Sequence, residues 1–467
     1  MSYDLPGPAS KALLDRGLPH LRDGLRYARS AAKSAGKGFA QPAQMIVGRA
    51  EGDFVWDVDG NRYIDLQNGW ATNPLGNCHP EIIEAVHQAH RQYGFQWEHP
   101  LRIPAAEKIA SLMPGNGALP RFSFEVSGTE AAESAIHLAL CHTGRRYIIS
   151  FTSCFHGEGL GTKMVSAYDS QKNLYMEGWA GGVLKAPYPY SENIPAGMSQ
   201  AQYVEYCLWY LETHLPEFVV PADNIAGIIV EPGLAEGGNW IPSVEFLKGI
   251  RRICDKYDWV MIADEVLTGL GRTGTMWSVE QYGVVPDILV AGKNLSGGIE
   301  PCAGVAASDE ILGDNPRASA GSTFAGTPAG CAAAIKTIEI FERDNILEQV
   351  RHLAALAEER MADWESRYGI VSQVRTHGLL MGVSFRQSDG EGEDYYVARS
   401  VRDAMLRRGV WAICDSEPQV RMYPALNMAA ENLARALDLM EEAIDQVQRE
   451  GVSVGDYPAM PSGNVGF

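Results

Sequence analysis

Three short apolar runs in the middle of the chain are each followed by one charged residue. The runs and the residues after them are Ile225–Val230 with Glu231, Val260–Ala263 with Asp264, and Ile288–Gly292 with Lys293. Short apolar runs of this kind are typical of strands that are buried on both faces of a sheet. The spacing therefore predicts that the three charged side chains lie at neighbouring strand ends and form one site.

The segments around these runs alternate between helical and extended patterns. From about His79 to about residue 340, stretches with a helical spacing of apolar residues alternate with strand-like runs. This order predicts an α/β domain with a mostly parallel sheet flanked by helices. Beyond Ile340, long helical patterns and short strands indicate a smaller α+β domain. Its helical patterns cover Ile346–Tyr368, Tyr395–Arg408 and Glu431–Arg449, and its strands Leu379–Phe385 and Val420–Tyr423.

The N-terminal residues predict a helix and a hairpin rather than an independent domain. Leucines recur near a helical spacing from Leu13, which predicts a helix that continues to about Ala35. Asp59-Gly60 separates two strand-like runs and favours a β-hairpin. We therefore expect three segments, namely residues 1–78 packed with the small domain, the large domain over 79–340, and the small domain over 341–467.

Composition argues against several classes of function. The 467 residues are 46% hydrophobic and carry 58 acidic against 39 basic side chains, a formal net charge of −19. This acidity argues against binding of nucleic acid or an anionic membrane by bulk charge, and no run approaches the ~20 apolar residues that cross a bilayer. The 8 cysteines are scattered, and the first residues lack the apolar core of a signal peptide. We expect a cytoplasmic protein.

Ser127-Gly128-Thr129 stands between a strand-like run and a helical one. A helix N-terminus offers unpaired N–H groups and a partial positive charge, so this segment can hold a phosphate. Gly128 lets the backbone approach closely, and the two hydroxyls add donors. The same pattern is also that of an ordinary N-cap.

Lys293 and Asp264 are the two groups that pyridoxal phosphate chemistry requires. A Lys amine can condense with the cofactor's aldehyde. Asp264 ends an otherwise apolar strand, where a buried carboxylate needs a cationic partner such as a pyridinium N–H. Taken alone, Lys293 could be an ordinary solvated lysine and Asp264 an ordinary capping aspartate. Together with the phosphate segment they are far more specific.

Two other patterns are weak. The segment 269–274 matches G-x-G-x-x-G, but it does not lead from a strand into a strong helix, and no acidic residue follows at the distance a dinucleotide site needs. The histidines and cysteines form no ligand set at a recognised metal spacing, so no metal site is predicted.

Six motifs in one order resemble the class III aminotransferases, pyridoxal phosphate enzymes of fold type I. They are SGTEAAE (127–133), CFHG (154–157), EPGLAEGG (231–238), DEVLTGLGRTG (264–274), PDILVAGKNLSGG (286–298) and GSTFAGTPAGC (321–331). The resemblance runs from about Gly52 to about Glu442. It implies a large cofactor-binding domain around a mostly parallel sheet of the seven-stranded type, and a small α+β domain built from both chain ends.

The resemblance also implies a role for each motif residue. Lys293 would form the internal Schiff base and move protons, and Asp264 would pair with the pyridine nitrogen. Phe155 and Val266 would cover the two faces of the ring, although Phe155 taken alone is better explained as a Phe buried in the core. Thr323 would reach the phosphate of the neighbouring subunit, which makes the active protein a homodimer. The remaining predicted cofactor-binding residues are Ser127, Gly128, Thr129, His156 and Glu231.

The substrate residues follow from the same resemblance. Arg421 would grip a substrate carboxylate, and its guanidinium fork suits that bidentate contact. Glu236 would pair with this Arg when the substrate has no carboxylate there. Trp70 would line the pocket, although simple packing explains it equally well. Leu267 stands where many relatives have a Gln, so a usual hydrogen bond to the cofactor is in question.

The predicted function is transfer of an amino group from an amine or amino acid to a 2-oxo acid or other carbonyl acceptor. An apolar residue at the Leu267 position also occurs in glutamate-1-semialdehyde aminomutases, so an aminomutase remains the alternative, beside a racemase or decarboxylase on the same fold. A non-catalytic binding protein with a degenerate site is disfavoured, because such a protein has no need of both Lys293 and Asp264.

Overall fold

The computed structural model describes residues 2–17, 45–167, 181–313, 321–387, 394–414 and 418–452. The chain divides into two compact units, Pro80–Glu348 and the pair Met1–His79 with Gln349–Phe467. The helix predicted over 13–35 lies mostly outside the described residues. None of the helices in the described ranges combines the length and the apolar character that a membrane crossing needs.

The secondary structure is numbered in chain order. The strands are β1 (Val47–Glu51), β2 (Phe54–Asp57), β3 (Arg62–Asp65), β4 (Arg121–Glu125), β5 (Tyr147–Phe151), β6 (Val183–Ala186), β7 (Ile225–Val230), β8 (Val260–Asp264), β9 (Ile288–Ala291), β10 (Ala303–Ala307), β11 (Val371–His377), β12 (Leu380–Phe385), β13 (Val410–Trp411) and β14 (Gln419–Met422). The α-helices are α1 (Pro8–Gly17), α2 (Pro80–Tyr93), α3 (Arg102–Ser111), α4 (Gly128–Thr143), α5 (Leu160–Val165), α6 (Gln200–Trp209), α7 (Leu215–Phe218), α8 (Val244–Tyr257), α9 (Asp309–Leu312), α10 (Pro328–Arg343), α11 (Ile346–Met361), α12 (Trp364–Arg367), α13 (Tyr395–Arg407) and α14 (Ala430–Glu450). Short 3-10 helices cover Ser191–Asn193, Ala222–Asn224, Ser278–Tyr282 and Lys293–Ser296, and a π-helical turn covers Tyr210–His214.

The larger unit is built on a seven-stranded sheet in the order β4-β10-β9-β8-β7-β5-β6. The strands from β9 to β6 are parallel to their neighbours, whereas β10 is antiparallel to both β9 and β4. The predicted α/β architecture is therefore confirmed. Every residue of β7, β8 and β9 is buried, which explains why these strands are apolar along their whole length.

Helices cover both faces of this sheet. On one face the alanines of α4 pack against Ile229, Ile262 and Val290. Such small side chains let the helix lie close to the strands. On the other face Phe246 of α8 packs with Phe151 and other residues of a separate core cluster. The close fit of α4 fixes its N-terminus near the edge of the sheet where the parallel strands end.

The smaller unit contains two further sheets. β1, β2, β3 and β13 form one, and β11, β12 and β14 form an antiparallel second. β2 pairs with β3 in antiparallel register around Asp59-Gly60, so the predicted hairpin is confirmed. The helical pattern over Ile346–Tyr368 forms two helices instead of one. The break falls at Asp363 (φ −106°, ψ 1°), directly before the buried Trp364.

Gly227 provides a test of the close packing between β7 and β8. A Cβ at this position would lie 2.2 Å from the carbonyl oxygen of Val260. We expect Gly227→Ala to lower the free energy of unfolding by roughly 2–3 kcal/mol, because the strands must move apart to admit the methyl group. The midpoint of thermal unfolding measures the effect. A Cβ on Gly181 would meet no atom within 4 Å, so Gly181→Ala is the matched control. Equal loss in both variants would contradict the packing described here.

Candidate active site

Glu231, Asp264 and Lys293 start from neighbouring strand ends, as the sequence predicts. β7, β8 and β9 are adjacent and parallel, so their carboxyl ends lie at one edge of the sheet, where α/β proteins bind ligands. Glu231 follows β7, Asp264 is the last residue of β8, and Lys293 follows β9 after Gly292. The predicted grouping of their backbone positions is therefore present.

Lys293 has a strained backbone conformation. Its φ is 41°, in the left-handed region that side chains other than glycine rarely adopt, and it opens the 3-10 helix Lys293–Ser296. Strain of this kind costs about 1–3 kcal/mol and persists only where the surrounding structure holds it. Backbone strain is more frequent at functional sites than elsewhere in proteins.

Asp264 and His156 form a buried ion pair. Nδ1 of His156 lies 2.7 Å from Oδ2 of Asp264, and their side chains are 0% and 5% exposed. Burial disfavours the charged imidazole, but the Cys154 sulfur and the Asp264 carboxylate outweigh this effect and raise the pKa of His156 to about 10. The raised pKa favours the protonated imidazole, whose Nδ1–H donates to the carboxylate. His156 thus contacts Asp264 directly.

Glu231 binds backbone rather than another side chain. Its Oε1 accepts from the N–H of Phe155 at 2.8 Å, and its Oε2 accepts from the N–H of Ala235 at 3.0 Å. Burial raises the pKa of Glu231 to about 7, an effect that the charge of His156 opposes and that of Asp264 reinforces. One carboxylate oxygen therefore holds the loop that carries Phe155, and the other holds the turn that follows Glu231.

The N-terminus of α4 faces the loop after β5. Ser127 is the N-cap, and its hydroxyl accepts from the N–H of Glu130, which is the ordinary capping bond. The hydroxyl hydrogen remains available as a donor. Oγ1 of Thr129 accepts from the N–H of Glu158 at 3.3 Å, and a Cβ on Gly157 would lie 2.6 Å from that same oxygen. Only glycine fits there, at a φ of 136°.

Val266 contacts the end of β8, the start of α4 and the residue before Lys293. Its N–H donates to Oδ1 of Asp264 at 3.1 Å. A Cβ on Gly128 would lie 2.8 Å from Cγ1 of Val266, and one on Gly292 would lie 3.4 Å from the same atom. The side chain of Val266 therefore lies between the start of α4 and the residue before Lys293.

These contacts fit a ligand that carries both a phosphate and a protonated ring nitrogen. A carboxylate offers about four lone-pair sites, and the described contacts of Asp264 are the N–H of Val266 and Nδ1 of His156. One further N–H donor can therefore be accommodated. Gly128 and Thr129 lie in the first turn of α4, where backbone N–H groups have no intrahelical acceptor. Pyridoxal phosphate is a ligand of this kind.

Thr323 lies on an exposed segment of the larger unit. Nε1 of Trp97 donates to the carbonyl oxygen of Thr323 at 3.2 Å. The neighbouring Phe324 is 60% exposed and Trp97 is 51% exposed, and the ring of Phe324 lies 5.0 Å from that of Phe95. Thr323 therefore borders a patch of solvent-exposed aromatic side chains.

The three predicted substrate residues are divided between the two units. Glu236 lies in the larger unit, half-buried in the turn that the Leu234–Trp240 bridge closes. Arg421 is in the smaller unit and is buried on β14. Trp70 is in the same unit, 39% exposed, on a turn whose residues Asn68–Ala71 all have positive φ. Tyr423, at the end of β14, donates its N–H to Leu66 O near this turn.

Lys185 was not singled out by the sequence analysis. Its amine donates to Oγ of Ser150 and to the carbonyl oxygens of Val165 and Ser166, at 2.6–3.1 Å. Ser166 in turn accepts the N–H of His156 at 2.9 Å. Burial lowers the pKa of Lys185 to about 8. A lysine inside the apolar strand β6 was the available signal, but the sequence could not identify its acceptors.

Comparison with known proteins identifies one family. Residues 37–444 match the family model described as aminotransferase class-III. The chain is 32% identical to a probable 4-aminobutyrate aminotransferase of Bacillus subtilis, over 74% of this chain and 80% of that protein. It is 33% identical to a 5-aminovalerate aminotransferase of Pseudomonas aeruginosa, over 76% and 82%. An (S)-enantioselective omega-transaminase from Thermomicrobium roseum superimposes with a TM-score of 0.84 at 26% identity, over 94% of this chain and 99% of that one.

Proposed function

We propose that this chain, which belongs to the class III aminotransferase family, transfers the amino group of an ω-amino acid to a 2-oxo acid. It is a pyridoxal phosphate-dependent aminotransferase of fold type I. The observation that carries the proposed site is the buried His156–Asp264 ion pair at the end of β8, beside the strand end from which Lys293 starts.

Residues at the end of β8 and at the start of α4 would hold the two ends of the cofactor. When bound, pyridoxal phosphate withdraws electrons from the bond that breaks at the amine-bearing carbon and carries the amino group between the two substrates. We propose that Asp264 pairs with the ring nitrogen and that Gly128 and Thr129, with the hydroxyl of Ser127, bind the phosphate. Phe155 and Val266 would contact the two faces of the ring.

Lys293 is the proposed acid and base. Its Nζ would take the proton from the amine-bearing carbon of the donor and later deliver a proton to the acceptor, since a positioned amine can serve in both directions. The strained backbone at φ 41° supports this role, because the fold retains a conformation that an ordinary surface lysine does not need. His156 would assist by holding Asp264 in place as its charged partner.

The proposed substrates carry at least one carboxylate. Arg421 would bind that group, since a buried guanidinium fork suits bidentate contact with a carboxylate. Two relatives are named for 4-aminobutyrate and 5-aminovalerate, acids whose amine stands at the opposite end from the carboxylate. Trp70 would line the pocket, and Glu236 would neutralise Arg421 when the substrate has no carboxylate at that position.

We further propose that the active protein is a homodimer. The larger unit exposes a group of large apolar side chains, here called the Phe324 patch. Its members are Phe95, Trp97 and Phe324, which are 43%, 51% and 60% exposed. Exposed aromatic groups of this kind mark protein contacts, and Thr323 borders the patch. Thr323 would then bind the phosphate held by the partner subunit.

A cytoplasmic location completes the proposal. The 8 cysteines are all free, which is the usual state in a reducing compartment. The acidic composition agrees with this location.

Incubation of the cofactor-loaded protein with 4-aminobutyrate or 5-aminovalerate, without an acceptor, tests the reaction type. We expect about one equivalent of carbonyl product per site, because the amino group stays on the enzyme until an acceptor arrives. Lys293→Ala should form none and should lack the absorbance of lysine-linked cofactor at roughly 400–430 nm. Lys336→Ala, a surface variant on α10, is the control. Substrate turnover without any carbonyl product would instead indicate an aminomutase or racemase.

The pKa of Glu231 predicts that kcat/KM falls as the pH drops below about 7, and this fall is called the acid limb. Above about pH 7 the carboxylate accepts both backbone N–H groups, and below it the protonated acid has one weaker acceptor. We therefore expect kcat/KM of the wild type to rise with pH through about 7. Glu231→Gln should lose this limb and show lower activity at alkaline pH, since an amide offers one acceptor and does not titrate.

Glu265→Gln is the matched control for this limb. Burial also raises the pKa of Glu265 to about 7, but its carboxylate accepts from the N–H of Val279 and the hydroxyl of Thr268 rather than from Phe155. It should retain the acid limb. The prediction would be contradicted if Glu265→Gln lost the acid limb and Glu231→Gln retained it. The titrating group would then be Glu265, after β8, instead of Glu231, after β7.

Charge in the Phe324 patch should dissociate the dimer. We expect Phe324→Asp to shift the sedimentation coefficient to that of a monomer and to weaken cofactor binding, because a carboxylate at the centre of an apolar contact is not compensated. Phe218→Asp is the control, since Phe218 is 70% exposed on α7 and lies outside the patch. A Phe324→Asp protein that remains dimeric with unchanged cofactor affinity would refute this interface.

A further inference from the structure

Three consecutive residues of the segment Gly321–Thr323 each have their own anchor in the larger unit. The N–H of Gly321 donates to Oε1 of Glu125 at 2.9 Å, and Oγ of Ser322 lies 3.1 Å from Oε2 of Glu130. The carbonyl oxygen of Thr323 accepts from Nε1 of Trp97 at 3.2 Å. A surface segment held at every residue has little freedom to reorient.

The two carboxylates belong to the segment that forms the phosphate end of the proposed site. Glu125 is the last residue of β4, and Glu130 lies in the first turn of α4. Oε2 of Glu130 also accepts from the N–H of Val126 at 3.1 Å, and Oε1 of Glu125 accepts from Oγ of Ser134 at 2.5 Å. Both anchors are therefore themselves fixed to the sheet and to α4.

Glu130 has a position that helix capping alone does not explain. A capping box would direct the side chain of the third helical residue to the N–H of the N-cap, here Ser127. Glu130 instead accepts from the N–H of Val126, the residue before the N-cap, and from the hydroxyl of Ser322. The contact joins two segments 192 positions apart in the chain. One carboxylate thus spans the start of α4 and the exposed Thr323 segment.

We propose that Glu130, through Ser322, is a positioning residue that orients Thr323 toward the phosphate held by the partner subunit. This inference rests on the proposed function, in which Thr323 makes that contact. Ser322 and Thr323 share a peptide bond, so the direction of the Ser322 side chain constrains that of Thr323. Oε2 of Glu130 accepts both the hydroxyl of Ser322 and the N–H of Val126, and a carboxylate oxygen is a stronger acceptor than a neutral one.

The test compares the affinities of the apoprotein for pyridoxal 5′-phosphate and for pyridoxal, which lacks the phosphate. We expect Ser322→Ala to raise the dissociation constant for pyridoxal phosphate roughly two- to tenfold, the range expected for one lost hydrogen bond. The dissociation constant for pyridoxal should not change. Ser322→Thr retains the hydroxyl and should bind like the wild type. Sedimentation and thermal unfolding identify any variant that no longer folds or dimerises.

A double-mutant cycle tests the contribution of Glu130. Glu130→Ala changes the charge near the phosphate as well as the anchor, so its own effect is ambiguous. The cycle isolates the pair: in the Glu130→Ala background, Ser322→Ala should have no further effect on either affinity. Equal additive effects in both backgrounds would overturn the role of Glu130.

Thr323→Ala separates failure of this inference from failure of the proposed function. If Thr323→Ala leaves the affinity for pyridoxal phosphate unchanged, the contact across the dimer is absent and the proposed function loses that part. If Thr323→Ala weakens binding while Ser322→Ala does not, the contact stands and the positioning role is wrong. Equal weakening of pyridoxal and pyridoxal phosphate by Ser322→Ala would indicate only a structural role and would also overturn the inference.

Discussion

The buried contact between His156 and Asp264 is the interaction on which the rest of the candidate site depends. Neither side chain has appreciable access to water, so neither can be ionised there without the other. Removal of one partner from such a pair costs about 3–5 kcal/mol, because the remaining charge is left uncompensated. The pair therefore fixes the loop after β5 against the end of β8. Phe155 and Gly157 lie on either side of His156, so their backbone positions are fixed with it.

The sequence was sufficient to predict the strand-end residues because burial on both faces imposes a pattern that can be recognised. A strand buried on both faces tolerates a charged residue only where the strand ends, and the parallel order brings those ends to one edge. Asp264 and Lys293 could be located in this way. The contacts of His156, Glu231 and Lys185 could not, because each joins residues far apart in the chain whose approach depends on tertiary packing. Glu231 illustrates the difference, since it lies at the predicted strand end but binds the backbone of Phe155 and Ala235.

The turn at Asn68–Ala71 shows a different limit of sequence-based prediction. Its four residues have φ between 53° and 62°, although Gly69 is the only glycine among them. A left-handed conformation costs roughly 1–2 kcal/mol for each residue with a Cβ, so local preference argues against this turn. The buried carboxylate of Asp65 holds it by accepting from the N–H groups of Gln67 and Asn68 and from the side chain of Asn77. A tertiary arrangement of this kind overrides local propensity and leaves no periodic signal.

Strain at Trp70 and at Lys293 has a common physical meaning. Each residue adopts a left-handed backbone, and each was predicted on other grounds to contact the reacting molecules. A relaxed backbone cannot always point a side chain in the required direction at a strand end or a turn. The surrounding packing then holds the backbone in the costly conformation. The Asp65 network around Trp70 and the buried strands around Lys293 provide that packing. Because the two residues lie in separate compact units, each unit must hold its own strained residue.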